Sequence, residues 1–211
     1  MLTENQGRKR ISGEDRRVEI IDTALTLFAE KGFAATRTHE IAKAAGISGT
    51  LIFQHFKTKN DLIHAALVTL FHSHPLSSEL KTYLEQLNDD AGFFRTIAWH
   101  LVNRSREDPR IMKLIIYTSL EGRDFRELSR SDEMGSDMLS LITGYVEKRI
   151  DEGVFIKTNA KIAARLFVET VYMYIADKTA EVTGPRLPFS DDEVIDTLVA
   201  IFLGGLLQNK K

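Results

Sequence analysis

The stretch Ile41–Phe56, reading IAKAAGISGTLIFQHF, constrains the fold of this chain more than any other part of it. Two short helical patterns, Ile41–Ala45 and Gly49–His55, flank Gly46, a residue able to take a positive φ without steric cost and so to turn the chain sharply. Ser48 supplies a hydroxyl where the second helix needs an N-cap. In that second helix Leu51 and Ile52 face inward, which leaves Gly49, Thr50, Phe53, Gln54 and His55 for the outer surface. The pattern predicts two helices joined at a tight turn, a helix-turn-helix. An ordinary helical hairpin with a glycine in its turn shares part of it, so the flanks carry weight.

Upstream, RRVEIIDTALTLFAEKGF places Ile20, Ile21, Ala24, Leu25, Leu27 and Phe28 at helical spacing, with Gly32 as the C-terminal stop. Downstream, Lys57-Thr58-Lys59-Asn60-Asp61-Leu62 puts Thr58 and Asp61 at capping-box spacing in front of another apolar-periodic run. From Arg16 to Leu62, including the aromatic signature Phe53-Gln54-His55-Phe56, the chain resembles the N-terminal domain of the TetR family of bacterial transcriptional regulators. The similarity spans roughly the first quarter to third of the chain. It implies a three-helix DNA-binding head over 12–57 and a helical effector-binding and dimerisation domain over 58–211.

By carry-over from the family together with side-chain chemistry, the expected DNA contacts are Thr36, Arg37, Thr38, Ser48, Gly49, Thr50, Phe53, Gln54, His55, Lys57 and Lys59. Of these, Thr36, Arg37, Lys57 and Lys59 are assigned mainly to phosphates, and Thr50, Gln54 and His55 to the groove. Glutamine can bond an adenine edge in two places. Three positions depart from the family pattern. Arg37 stands where a small hydroxyl residue often caps the second helix, so that either Thr36 takes the cap or Arg37 reaches a phosphate itself. Thr50 replaces a frequent glycine, and Phe53 a frequent tyrosine, which removes a phenol hydroxyl. Ahead of the first helix, Arg8-Lys9-Arg10 fits either a minor-groove arm or a frayed, solvated terminus.

Charge agrees with the division. Through Asn60 there are ten lysines and arginines against seven aspartates and glutamates, whereas the remainder carries eighteen against twenty-three, for a net charge of −2. The basic part coincides with the expected DNA module. The chain has no cysteine, so disulfides and thiolate metal sites are excluded. Its first residues lack the apolar core of a signal peptide, and no run approaches the ~20 apolar residues of a membrane span, so a cytoplasmic location is expected.

Beyond the head, helical patterns continue over Lys59–His72, Ser77–Asn88, Gly92–Arg106, Pro109–Glu121, Asp132–Glu152, Asn159–Val182 and Ser190–Leu207. Pro75 marks a joint, Gly153 a helix end, and Ser190 with Glu193 a second capping box. Val154–Ile156 is strand-like but too short to build a sheet, and the fold class is all-α. The final two helices are unusually apolar, with Ile162, Leu166, Phe167, Val171, Tyr174 and Ile175 in one and Val194 through Leu207 nearly encircled in the other. A helix of that kind has to be covered on more than one side. The resemblance implies a homodimer through about 159–183 and 190–207 that binds a pseudo-palindromic DNA operator, and a repressor whose fourth helix couples effector binding to the head.

Candidate effector-pocket residues are Phe71, Phe94, Trp99, His100, Met112, Tyr117, Phe167 and Tyr172, aromatic and thioether groups that suit a small apolar or amphipathic ligand. Met and aromatic residues at this spacing more often pack a bundle. No cofactor or metal is expected: His64, His72 and His74 lack a His-Glu-x-x-His pattern. Enzymatic activity is not expected either, since no glycine-framed nucleophilic serine is present. The competing reading is an all-helical small-molecule carrier or protein-interaction module that does not bind DNA.

Overall fold

Short polar side chains set where several helices begin. The computed structural model describes residues 12–72, 77–86, 89–122, 136–180 and 188–207. Among them run ten α-helices: α1 Gly13–Lys31, α2 Thr38–Ala44, α3 Gly49–His55, α4 Lys59–His72, α5 Ser78–Gln86, α6 Asp90–Glu107, α7 Arg110–Leu120, α8 Ser136–Asp151, α9 Ala160–Ala180 and α10 Asp191–Leu206. Ser12 accepts from the Asp15 N–H at 3.0 Å and Ser48 from that of Leu51 at 3.2 Å. Reciprocal boxes open α4 and α10: Thr58 with Asp61, and Ser190 with Glu193. Asn159 accepts the Ile162 N–H at 3.1 Å and opens α9.

The all-α class expected from the sequence is what forms. Its one strand-like contact among the described residues is an antiparallel bridge between Phe155 and Leu207, where the Ile156 N–H donates to Leu206 at 2.7 Å and ties the end of α10 to the α8–α9 connection. Two boundaries differ from expectation. Helix α1 starts at Gly13, not Arg16, because Ser12 supplies a cap further upstream. Helix α2 starts at Thr38, three residues before the apolar run that marks it, because Glu40 accepts the Arg37 N–H at 2.8 Å and fixes the entry. Arg8-Lys9-Arg10, His74, Pro75, Asn88, the first residues of the helix expected from Asp132, and Val182 lie outside the described residues.

Two apolar cores organise the chain. The first joins Ile20, Ala24, Leu25 and Phe28 of α1 to Ile41 of α2, Ile52 of α3 and Leu62, Ile63 and Leu67 of α4. It also includes Ile111 and Leu114 of α7, so one face of α7 packs with the head. The second core is the body, built around Phe93, Phe94, Ile97, Phe155, Phe167 and Ile195. Ion pairs staple its helices: Arg149 of α8 grips Asp90 of α6 at 2.7 and 3.0 Å, and Arg95 of α6 reaches Asp192 and Asp196 of α10, both at 2.6 Å. No described helix is long and apolar enough to cross a membrane.

Candidate nucleic-acid interface

Gly46 takes φ +65° between α2 and α3, as the turn requires, and Ile47 N–H donates back to the Ala42 carbonyl at 2.9 Å. Helix α3 is held from beneath by Ile52, which is 1% exposed. Its opposite face carries Gly49, Thr50, Phe53 and Gln54 into solvent, with Phe53 54% exposed although it is aromatic. Lone exposed apolar residues are common, but this one lies among hydroxyl and amide groups on a helix free to enter a groove about 12 Å wide. His55 is half-buried, its ring tilted against Phe56 at 6.4 Å.

Cations frame this face. Arg37 and Lys57 are exposed at the start of α2 and just after α3. Lys43 is exposed in the last turn of α2, and His39 is exposed on the same helix; sequence reasoning passed over both, though an exposed lysine within IAKAAG is a legible signal. Thr38 is half-buried at the first position of α2, and the Ser48 hydroxyl accepts from Leu51 as a cap. Glu40 takes the Lys31 ammonium at 2.9 Å as well as the Arg37 N–H, and these two hold its carboxyl below the usual range. The entry of α2 is therefore fixed by charge-assisted bonds while the Arg37 side chain stays exposed.

One expected phosphate contact is corrected by the structure. Thr36 is fully buried, and its hydroxyl donates to the Gly32 carbonyl at 2.7 Å, with the Leu27 carbonyl at 3.2 Å. It braces the α1–α2 turn and caps no helix; the cap position belongs to Arg37. The Lys59 ammonium lies over the Phe33 ring at 4.2 Å and 3.5 Å from the Ala34 carbonyl, so it pins α4 to that same turn. Arg17 does the equivalent from α1, with its guanidinium 4.6 Å from the Phe56 ring. The aromatic residues that border the motif thus serve to anchor it.

The expected effector pocket does not form as one site. Phe94, Met112 and Phe167 are core residues at 2% exposure or less, packed because helical apolar periodicity in a bundle drives them together. Tyr117 belongs to the head junction: its hydroxyl donates to the Glu30 carbonyl at 3.1 Å. Trp99 and His100 border a 380 Å³ cavity with Leu80 and Arg95, and Tyr172 lies beside Arg104, where burial pushes its phenol up. The Phe71 side chain lies outside the described residues. A larger groove, about 950 Å³, runs along α9 and α10 and is bordered by Thr170, Met173, Phe189, Val194, Ile201 and Phe202, together with Phe167 at its base.

The junction between body and head is polar and specific. Arg110 of α7 is gripped by Asp108 and extends to Asp22 at 2.7 Å and Thr26 at 3.2 Å on α1. Beyond α7, Glu121 accepts the Ala34 N–H at 2.9 Å. These attachments, with Tyr117, make α7 a second bridge to the head beside α4, the helix expected from the sequence.

A tight glycine turn followed by a helix held from beneath by one buried side chain is the geometry of a helix-turn-helix, and known proteins similar to this chain include regulators that carry that motif in their names. Residues 20–66 match the family described as bacterial regulatory proteins, tetR family. The chain is 27% identical to an uncharacterised HTH-type transcriptional regulator of Bacillus subtilis, YvkB, over 89% of this chain and 95% of that protein. It is 25% identical to the HTH-type transcriptional repressor KstR2 of Mycolicibacterium smegmatis over 92% of each. In fold it is similar to the transcriptional regulator FadR of Bacillus subtilis in complex with stearoyl-CoA, with TM-score 0.68 at 16% identity over 89% of this chain and 98% of that one. It also resembles the TetR-family regulator PfmR of Thermus thermophilus, with TM-score 0.64 at 17% identity over 90% and 99%. Over residues 20–66 in sequence, and over about nine-tenths of its length in fold, the chain is similar to bacterial regulatory proteins of the tetR family.

Proposed function

We propose that the protein is a ligand-responsive repressor that binds a pseudo-palindromic DNA operator as a homodimer and is released by a small apolar or amphipathic effector. The observation that carries the DNA half is the outward face of α3, where Thr50, Phe53 and Gln54 are exposed directly opposite buried Ile52. In this reading Thr50, Gln54 and His55 address base edges, with Phe53 against them, while Arg37, Lys43 and Lys57 address phosphates. Thr38, Ser48 and Gly49 bring the start of each helix close to the DNA backbone.

The dimer is supported by the uncovered side of the last two helices. Ile162, Leu166 and Met173 of α9 and Ile201 of α10 are each more than half exposed, at positions that share a helix face. Burying their open halves is worth about 1 kcal/mol each. Gly204 and Gly205 have open space where a Cβ would stand, which suits close approach of a second backbone. A second copy docked there presents two α3 helices, and two half-sites one helical turn apart, about 34 Å, match that symmetry.

For the effector, the support is the capacity of the helical body together with one neighbour: FadR was solved with stearoyl-CoA, an amphipathic anion. Repression is the role in the names of the KstR2 relatives. Fluorescence anisotropy on genomic and random-sequence duplexes at two salt concentrations tests the reading. It predicts binding at low salt that weakens steeply with added salt. Absence of binding at low salt would favour the helical carrier or interaction module instead.

A further inference from the structure

We infer that Phe53 is a base-reading residue whose ring seats against the C5-methyl group of one thymine in each operator half-site. The inference rests on the DNA-binding reading and names a base that the outward face of α3 selects.

The head contains four aromatic side chains, Phe28, Phe33, Phe53 and Phe56, and all but Phe53 are at most 4% exposed. The buried rings fasten its elements together: Phe28 and Phe33 lie 5.5 Å apart, and the Arg17 guanidinium stands over Phe56. Phe53, more than half exposed, makes no ring or cation contact among the described residues, so its ring is not part of that fastening. Val18 is the other large apolar side chain of the described head that stands in solvent, and it lies on α1, outside the helix-turn-helix.

Position and chemistry limit what can cover this ring. Helical side chains lean back over the preceding turn, which carries Phe53 toward Gly49 and Thr50. Gly49 has nothing within 4 Å of where a Cβ would stand, and Thr50 and Gln54 are exposed beside it, so the ring is open to whatever surface α3 approaches. DNA offers two kinds of surface. Phosphate oxygens need a donor, which a phenyl lacks, and a phenyl pressed beside them removes water without replacing its bonds. Lys43 and Lys57, exposed on the last turn of α2 and just after α3, supply such donors. Base edges in the major groove are also donors and acceptors, with the thymine C5-methyl as the apolar exception. A phenyl against that methyl buries apolar surface on both partners, and adenine, guanine and cytosine present no equivalent group.

The probe is the duplex that the protein selects from a random pool, with each thymine replaced in turn by deoxyuridine, which lacks the methyl and keeps the same donors and acceptors. Fluorescence anisotropy gives the Kd of each duplex. One replacement in a half-site should weaken binding about fourfold, the worth of one buried methyl, and the matching pair in both half-sites about fifteenfold. Phe53→Ala, an exposed position where alanine suits the helix, should keep the helicity and lose the sensitivity to that uracil. Tolerance of uracil at every position, a replacement felt equally by Phe53→Ala, or a selected half-site without thymine overturns the inference. If no sequence is enriched, the operator reading fails and this inference falls with it; an enriched sequence indifferent to uracil overturns this inference alone.

Discussion

Replacing Gly32 by alanine strikes the place where the head is fastened to the body. Gly32 sits at φ +83°, ψ 166°, a region essentially confined to glycine, so any side chain there costs about 1–3 kcal/mol in backbone strain. A Cβ would also stand 2.6 Å from Glu121 Oε1 and 3.1 Å from Tyr117 Cδ1. Glu121 has to withdraw and lose the Ala34 N–H, worth about 1 kcal/mol or slightly more for a charge-assisted bond at an exposed site. The sum is about 3 kcal/mol, or roughly 6–12 °C in Tm for a chain of this size. Gly46→Ala is the control, because Gly46 has φ +65° but open space around its missing Cβ, so only strain of about 1–2 kcal/mol applies. Urea unfolding followed by circular dichroism gives both numbers. In a Glu121→Ala background the cost of Gly32→Ala should fall by about 1 kcal/mol, the worth of the bond to Ala34, while the backbone strain and the Tyr117 contact remain. Equal costs for the two glycines in the unaltered chain would refute the assignment of Glu121 and Tyr117 as the fastening.

Glutamates at Leu166 and Ile201 should leave helicity unchanged while converting the protein to a monomer in sedimentation velocity; a dimer that persists contradicts the proposed interface. In the head, Gln54→Ala should change sequence preference with little change in salt slope, whereas Lys57→Ala should lower affinity across all sequences and reduce the slope by about one. Equal effects of both would remove the division between base and phosphate contacts. Burial pushes the Asp191 carboxyl up, but Lys178, Tyr174 and Arg106 outweigh it and hold it below its usual value. Its stabilising contribution is therefore full above about pH 4 and is lost as pH falls through its lower folded-state value, so Asp191→Asn should flatten the acid limb of a stability–pH profile. An unchanged acid limb in the variant contradicts that role.

What could be read from the sequence was what acts over three or four residues. The boxes at Thr58–Asp61 and Ser190–Glu193, the Ser48 cap and the Gly46 turn each depend on neighbours along the chain, and each is found in the structure. What joins distant segments was not legible. Glu121 and Ala34 are 87 positions apart, and Arg110 and Asp22 are 88 apart, so nothing in local spacing pairs them. Thr36 was misassigned for the same reason: a hydroxyl near the motif is chemically fit for phosphate, and only packing shows that it is buried against the Gly32 carbonyl. The aromatic candidates failed as a pocket because periodicity tells which face of a helix is apolar and says nothing of whether that face meets another side chain or a void. Phe94 and Phe167 meet each other, ring centroids 4.9 Å apart.

The claim that this chain reads DNA as a symmetric pair is tested most directly by selection from a random duplex pool, followed by titration of the selected sequence with measured stoichiometry. The account predicts enrichment of an inverted repeat with half-sites about 10 base pairs apart, bound by two chains and lost with Gln54→Ala. Enrichment of no sequence, or saturation of a single half-site by one chain, would contradict it.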